Sequence, residues 1–400
     1  MKAWETKALG EVCQFRGGGT PSKAVDRYWQ GTIPWVSPKD MKSQIVSDSI
    51  DHISQEAIQS SATALLPAGS VLMVVRSGIL ARTVPIAIAG CDLTINQDLK
   101  ALCPSGAVLT RFLYHLLDSR MDELLSMVSR GATVHRLMTE QIRSMEIVLP
   151  PLPEQRRIVG ILDEAFEGIA TARANAERNL QNARALFESH LQSVFSQRGE
   201  GWVEKALGEF ATFRNGINFT KSSRGETVKI VGVKDFQQSF WAPLDGLATV
   251  TTDGALPESD LLKENDILFV RSNGNMELIG RCLLIGSVTD KITHSGFTIR
   301  ARLNGGGVSA RYLCHFLKSR LARRKMIDSG IGTNIKSLNQ TTLSALAIPV
   351  PSIAEQETVV DLLESVDVEI RRLASIYERK LAALEALKKS LLDQAFTGRL

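Results

Sequence analysis

No apolar run in this chain approaches the roughly 18–20 residues of a membrane span. That absence argues against a protein built on transmembrane helices. The opening stretch, Met1-Lys2-Ala3-Trp4-Glu5, has no apolar core of a secretory signal. Cysteine is sparse: the 5 present form no Cys-x-x-Cys pair and no zinc spacing with the 6 histidines. An odd, scattered set points to reduced, buried thiols in a cytoplasmic protein. Catalytic signatures are missing as well. Arg16-Gly17-Gly18-Gly19-Thr20 is glycine-rich, but no Gly-Lys-Ser/Thr follows, so it is not a P-loop. Gly330-Ile331-Gly332 lacks the third glycine of a dinucleotide fingerprint. There is no Gly-x-Ser-x-Gly elbow, no His-Glu-x-x-His, and no Asn/Asp-Pro-Pro-Tyr/Phe to hold a target base for methylation. His115 and His315 stand at equal places in apolar helical stretches and read as core hydrogen-bonders. An enzyme is therefore not expected, and no catalytic, cofactor or metal residue is assigned.

Excess charge is small too. A net +4 does not by itself mark a nucleic-acid partner. Its distribution says more. Residues 1–153 carry 15 basic and 14 acidic side chains, and residues 201–353 carry 19 and 13. Residues 154–200 carry 6 and 7, and residues 354–400 carry 7 and 9. Positive charge sits in two stretches, and the segments after them hold none of it. That pattern permits an anionic ligand on the two stretches alone.

What the chain has is a duplication. Trp4, Lys7, Ala8, Leu9, Gly10, Glu11, Phe15, Arg16 and Gly18 recur as Trp202, Lys205, Ala206, Leu207, Gly208, Glu209, Phe213, Arg214 and Gly216. Arg111, Leu113, His115, Leu117, Ser119 and Arg120 recur as Arg311, Leu313, His315, Leu317, Ser319 and Arg320. Gly131, Leu137, Ile147, Pro150, Glu154 and Gln155 recur as Gly332, Leu338, Ile348, Pro351, Glu355 and Gln356. Between these marks Lys39-Asp40 matches Lys234-Asp235 and Arg76 matches Arg271, whereas residues 20–35 and 217–230 share almost nothing. The period is that of a whole domain, not a solenoid unit. Each copy keeps its frame and changes its interior.

Each copy has two parts. The first, about 150 residues, mixes short β runs such as Val71–Val75 and Asp266–Val270 with glycine-rich turns, and one helix is expected near 108–128 and 308–327. A mixed α/β (α+β) domain follows. The second part is a long helix. The first begins after Pro150-Pro151-Leu152-Pro153 and runs to about Phe195, with Ile158, Ile161, Leu162, Ala165, Ile169, Ala172, Ala176, Leu180, Ala183 and Phe187 as its stripe. The second begins after Pro349-Val350-Pro351, with Ser352 as N-cap and Glu355 three residues on, a capping box. Val359, Val366, Leu373 and Leu387 take one heptad position; Leu363, Ile370, Tyr377, Leu384 and Leu391 take the other. Neither helix can bury such a stripe on its own small domain, so the two are expected to pair with each other. Pairing with other chains is the alternative. Either relative direction is open; an antiparallel pair would make a ruler with a globular domain at each end.

Both copies carry basic, hydroxyl-rich loops suited to phosphates and base edges. The first set is Arg16, Thr20, Ser22 and Lys23, matched by Arg214, Asn215, Asn218 and Lys221. Lys39 and Lys234 follow. Arg76 and Ser77, with Arg271, Ser272 and Asn273, sit at a strand end. Thr133, His135 and Arg136, with Asn334 and Lys336, form a third loop before each long helix. Loops alike in position and different in letters would read two different half-sites.

Gly18-Gly19-Thr20-Pro21-Ser22, Tyr28-Trp29, Ile33-Pro34-Trp35-Val36, Arg76-Ser77-Gly78, the Gly131–Leu137 loop, Leu149-Pro150-Pro151-Leu152-Pro153-Glu154-Gln155 and Gln394-Ala395-Phe396-Thr397-Gly398 carry a family resemblance. The whole chain resembles the DNA specificity subunit of type I restriction–modification systems. The second copy lacks the Thr-Pro-Ser and Ile-Pro-Trp-Val runs, and Ser352-Ile353-Ala354 replaces its proline-rich linker. The resemblance implies target recognition domains at 1–152 and 198–351 and conserved helices at 153–197 and 352–400, packed antiparallel with a pseudo-two-fold repeat. Ile158, Leu162, Ile169, Leu363, Ile370, Tyr377, Leu384 and Leu391 then belong to the helices that dock partner subunits. It implies double-stranded DNA as ligand, an asymmetric bipartite target, and two modification (methyltransferase) subunits and restriction/translocase subunits as partners. S-adenosylmethionine, ATP and Mg are expected on those partners, not on this chain. The rival reading is a coiled-coil adaptor whose globular ends bind proteins, which would show no salt-dependent DNA affinity.

Overall fold

The computed structural model describes residues 4–131, 134–197, 199, 201–220, 222–237, 239–305, 307–328 and 337–400. They form two compact units: Met1–Ala176 with Arg379–Leu400, and Glu177–Glu378. Each unit opens on the segment marked by the duplication. Glu5–Ala8 pairs antiparallel with Glu146–Leu149, and Val203–Ala206 with Ala347–Val350. The shared Ala-Leu-Gly-Glu has the same task twice. Glu11 accepts the N–H of Ala8 at 3.1 Å, and Glu209 that of Ala206 at 2.7 Å. Leu9 and Leu207 donate their N–H groups to the Met145 and Leu346 carbonyls and bury their side chains completely.

The main sheet of the first unit runs Cys13–Gly17, Leu99–Pro104, Val71–Val74, Ile86–Ala89, Ile45–Val46 in spatial order. That of the second runs Ala211–Asn215, Thr298–Leu303, Ile267–Val270, Cys282–Leu284. Val71-Leu72-Met73-Val74 and Ile267-Leu268-Phe269-Val270 are buried at every position, as expected of an apolar run on an inner strand covered on both faces. A three-stranded sheet adds Asp51–Ile53, Ile33–Val36 and Thr94–Ile95 to the first unit, and Ala248–Thr251, Thr227–Val231 and Ile292–His294 to the second. In both, the middle strand pairs antiparallel on one side and parallel on the other. The divergent residues 20–35 and 217–230 thus build one scaffold from different letters. The single helix expected before each long helix is instead two: Thr110–Ser119 and Met121–Ser126, and Ala310–Lys318 and Arg320–Asp328. Backbone at Arg120 and at Ser319 leaves helical geometry, Ser319 being fully extended at ψ 149°.

The long helices are Leu152–Ser196 and Ile353–Phe396. Pro153 lies in the first turn, where its missing N–H costs nothing. The capping box forms: Ser352 donates its N–H to Glu355 at 3.0 Å, and Glu355 donates its N–H to Ser352 Oγ at 3.4 Å. A glutamine braces each helix start. Gln155 accepts the Leu109 N–H at 2.9 Å and donates to the Ala107 and Pro150 carbonyls at 3.0 and 2.9 Å. Gln356 repeats this with the Ser309 N–H at 2.8 Å and the Gly307 and Pro351 carbonyls at 2.8 and 3.0 Å. About two turns further, His115 and Arg111 both reach Asp163 at 2.9 Å, and Arg311 pairs with Glu364. His115 and His315 are core residues, each with its pKa depressed by burial, His315 to about 3.

The helices run antiparallel within each unit. In the first, Arg157 donates to the Leu400 carbonyl at 2.8 Å and Arg173 pairs with Glu385 at 3.4 Å. In the second, Arg184 pairs with Glu378 at 3.2 Å, while Leu191 and Phe195 share a core with Val360 and Leu363. Every residue of the expected first stripe is buried or half-buried. The second helix departs from expectation. Leu363 and Ile370 are buried and Tyr377, Leu384 and Leu391 half-buried, but Leu373 and Leu387 are exposed. The inward partner position lies one residue on, at Val360, Asp367, Ala374, Leu381, Lys388 and Ala395. Two charges in that row hid it. Asp367 pairs with Arg371; Lys388 pairs with Asp118 at 3.0 Å and lies over the Phe166 ring. Ile158, Leu162, Leu363 and Ile370 are spent inside this chain, and Ile169, Tyr377, Leu384 and Leu391 largely so. Beyond its first turn, where Ile353 is exposed, the large apolar side chains the second helix exposes in the second unit are Leu362, Val368, Leu373 and Ile376. Among the described residues, no helix is long and apolar enough to cross a membrane, and no cluster could hold a metal ion.

Candidate nucleic-acid interface

In each unit one turn gathers the site, and both turns lie between the parallel strand and the next strand of the main sheet. In the first unit it is Asn96-Gln97-Asp98. Gly18 lies against it so closely that a Cβ would stand 2.1 Å from the Ile95 carbonyl oxygen, which only glycine permits. This approach brings Thr20 into a hydrogen bond with Gln97. The Asp98 carbonyl accepts the N–H groups of Val75 and Arg76 at 2.8 and 3.1 Å, while its carboxylate faces the Arg76 guanidinium at 3.8 Å. Arg76–Ser77 then pairs with His135–Arg136, Arg76 directly opposite Arg136. Like charges opposed across a strand pair repel, and one carboxylate at 3.8 Å does not cancel two guanidinium groups. An anion placed there would.

In the second unit the turn is Ser295-Gly296-Phe297. A Cβ on Gly216 would stand 2.2 Å from the Ser295 carbonyl oxygen, so the glycine repeats the role of Gly18. Asn218 follows, against Gly296. The Phe297 carbonyl accepts the N–H groups of Arg271 and Ser272 at 2.8 and 3.4 Å. The backbone therefore superposes Phe297 on Asp98, and Ser272, not Arg271, on Arg76. Arg271 takes the place of Val75: Leu338 donates to the Arg271 carbonyl as Leu137 does to that of Val75, both at 2.9 Å. The two arginines match in letters but are one residue apart in register. Lys234, Ser272 and Asn273 line an open cavity of about 500 Å³ with Phe219, Ser295 and Phe297.

The Lys-Asp repeat has a structural half. Asp40 accepts the Ser37 N–H and Asp235 the Gly232 N–H, both at 2.8 Å, closing the same turn. Lys39 is neutralised by Asp51 at 2.7 Å, and Lys234 is not so held. Arg214 is also spent, on Asp260, so neither it nor Lys39 is the free cation the sequence suggests. Arg16 donates to Gln14 at 3.2 and 3.3 Å. Ser77 accepts the Ile79 N–H at 3.3 Å, and Ser22 offers its carbonyl to Trp29 at 3.2 Å. Among the described residues Lys23, Arg136, Lys234 and Arg271 have no ion-pair partner. Asn215 is exposed at the end of its strand opposite Ile299. Thr133, Lys221, Asn334 and Lys336 lie outside the described residues. The turns at 96–98 and 295–297 went unassigned in the sequence; their one signal is a short polar break between β runs at an offset of 199.

Behind the second turn, an ion pair replaces a neutral hydrogen bond of the first unit. The register that pairs Ser70 with Cys103 at 3.4 Å places Asp266 against Arg302 at 2.6 and 2.7 Å. Arg300 donates to the Ser259 carbonyl at 2.7 Å. Burial first, then these arginines, depress the His294 pKa to about 3.

Comparison with known proteins agrees with this architecture. The profile of the family described as "Type I restriction modification DNA specificity domain" matches residues 1–178 and 199–379. The chain is 37% identical over 194 residues to the EcoR124I/EcoR124II specificity subunit of Escherichia coli, covering 48% of each. It is 22% identical to the MjaVIII specificity subunit of Methanocaldococcus jannaschii, covering 99% of this chain and 93% of that one. In the Escherichia coli protein and the MjaIX subunit of Methanocaldococcus jannaschii, the aligned part spans about half their length, 48% and 54%. A chain from a solved structure concerning assembly and conformational transition of the type I R-M system shares the fold at TM-score 0.80, 18% identity and full coverage of this chain, 99% of that one.

Proposed function

The chain belongs to the type I restriction–modification DNA specificity family, and from that premise we propose that it is the non-catalytic subunit that reads an asymmetric, bipartite target in double-stranded DNA. One observation carries the reading. The same backbone turn presents Arg76 and Asp98 in one unit and Ser272 and Phe297 in the other. A catalytic site duplicated in this way would keep its chemistry. A pair of readers would change its letters, since base edges differ while phosphates do not. Arg76 opposite Arg136 supports an anionic ligand.

In this reading residues 1–152 and 198–351 are the recognition domains, and residues 153–197 and 352–400 are helices that join modification (methyltransferase) and restriction subunits. The exposed Leu362, Val368, Leu373 and Ile376 support a docking face on the second helix. S-adenosylmethionine, ATP and Mg would be bound by the partners, which methylate adenine and cleave unmodified DNA. The test is a map of N6-methyladenine across the host genome with and without this gene. Loss of one two-part motif on deletion supports the reading and yields both half-sites. An unchanged map from a strain that expresses all subunits refutes it.

A further inference from the structure

We propose that the cavity beside Phe297 reads the major-groove edge of a thymine in the half-site served by the second unit. The inference deepens the DNA-reading function above and rests on it. Thymine presents a C5-methyl beside the O4 acceptor, a pairing no other base offers. The cavity, about 500 Å³, offers the complement. Phe297 is 62% exposed and Phe219 41%, so two phenyl groups stand in water at its rim. Phe297 is not loosely held. Its carbonyl takes two backbone N–H groups, and Thr298 donates to Ser295 at 2.8 Å across the turn. A ring that stands in solvent on a fastened turn is placed for contact with something outside the chain.

The polar groups fit the same base. Asn273 turns its side-chain oxygen to the Asn275 N–H at 2.8 Å, which leaves its NH₂ to donate. A donor beside an apolar wall suits O4 next to the methyl; it does not suit the N4 amine of cytosine, which needs an acceptor. Ser295, 7% exposed, lines the cavity with a hydroxyl that has no partner among the described residues. Lys234 at the rim suits a phosphate. The first unit holds Asp98 where the second holds Phe297, and a carboxylate paired with Arg76 gives a methyl nothing to pack on. The thymine contact therefore belongs to one half-site.

The experiment uses the chain copurified with its modification subunit and a duplex carrying its own target. Each thymine of the second unit's half-site is replaced in turn by deoxyuridine, which lacks only the methyl. One position should weaken binding about three- to ten-fold, the scale of burying one methyl with its surroundings. Phe297→Ala should weaken binding to the unmodified duplex similarly and make that deoxyuridine neutral, with other positions unchanged. Asn273→Ala should weaken both duplexes equally, because O4 is present in each. A half-site with no sensitive position, or a sensitivity that survives Phe297→Ala, overturns the inference. A complex that binds target and scrambled duplex alike overturns the DNA-reading function itself.

Discussion

Replacing Gln356 with leucine should destabilise the second unit by about 3 kcal/mol. The side chain is completely buried and makes three hydrogen bonds to backbone, at 2.8, 2.8 and 3.0 Å. Leucine keeps the volume and removes all three. Each contributes about 0.5–1.5 kcal/mol net, and the stranded Ser309 N–H adds about 1–3, partly offset by the added apolar surface. For a unit of this size the loss corresponds to a midpoint lower by about 6–12 °C. Amide exchange gives a local reading, since the Ser309 N–H should lose protection before the rest of its helix. Glutamate sharpens the argument. A carboxylate here accepts from Ser309 but faces the Gly307 and Pro351 carbonyls, so its pKa rises above the unfolded value of about 4.3. The folded state then holds the proton. Gln356→Glu should approach wild-type stability below about pH 4.3 and fall behind it as pH rises toward the folded pKa. Urea unfolding of both variants at pH 4 and 7.5 checks this. A leucine variant within about 0.5 kcal/mol of wild type, or a glutamate variant without pH dependence, refutes the brace.

Asp266→Asn should cost about 3–5 kcal/mol, because it leaves Arg302 without its buried carboxylate; Cys103→Ser, at the place in the first unit that Arg302 takes in the second, should cost under about 1.5 by the same urea assay. His294 and His315 are held neutral with pKa values of about 3. Unfolded histidine takes its proton near pH 6.5, so stability should fall as pH drops from about 6.5 toward 3. A His294→Asn, His315→Asn double variant should flatten that slope in urea titrations at pH 7.5 and 5. Arg76→Ala should weaken target binding by about 1–3 kcal/mol in a salt-controlled gel-shift titration if it reads a base edge. Arg271→Ala, at a different register, should change the salt slope by about one charge if it meets phosphate; unchanged affinity and slope in both variants count against these positions.

The scaffold was legible where one residue type has one task. The capping box at Ser352 and the inward stripe of the first long helix formed as read, and the repeated Ala-Leu-Gly-Glu, noted only as a duplication, proved to do one task twice. The second helix was misread at the stripe of Val359, Val366, Leu373 and Leu387 because Asp367 and Lys388, one residue on, face inward, and only their partners make those charges tolerable. The site was legible only in part. Arg76 and Arg271 align by letter, but the central strands Val71–Val74 and Ile267–Val270 superpose one residue off that alignment, which shows only once Asp98 and Phe297 accept the N–H groups that follow them. Gln97 meets Thr20 from 77 residues away, so no local pattern announces it. Arg214 and Lys39 looked free because their carboxylates, Asp260 and Asp51, are distant in the chain.

Around the turns at 96–98 and 295–297, Asn96 and Thr298 add side-chain bonds, but the last residue of each turn fastens the neighbouring strand end through main-chain atoms. The Asp98 and Phe297 carbonyls do the fastening, and any amino acid has a carbonyl. What the protein displays there is thus nearly independent of what keeps it folded. Single codon changes at such a position can rewrite the address while leaving stability almost untouched. A lineage under changing attack can explore new targets there without first acquiring compensating mutations elsewhere.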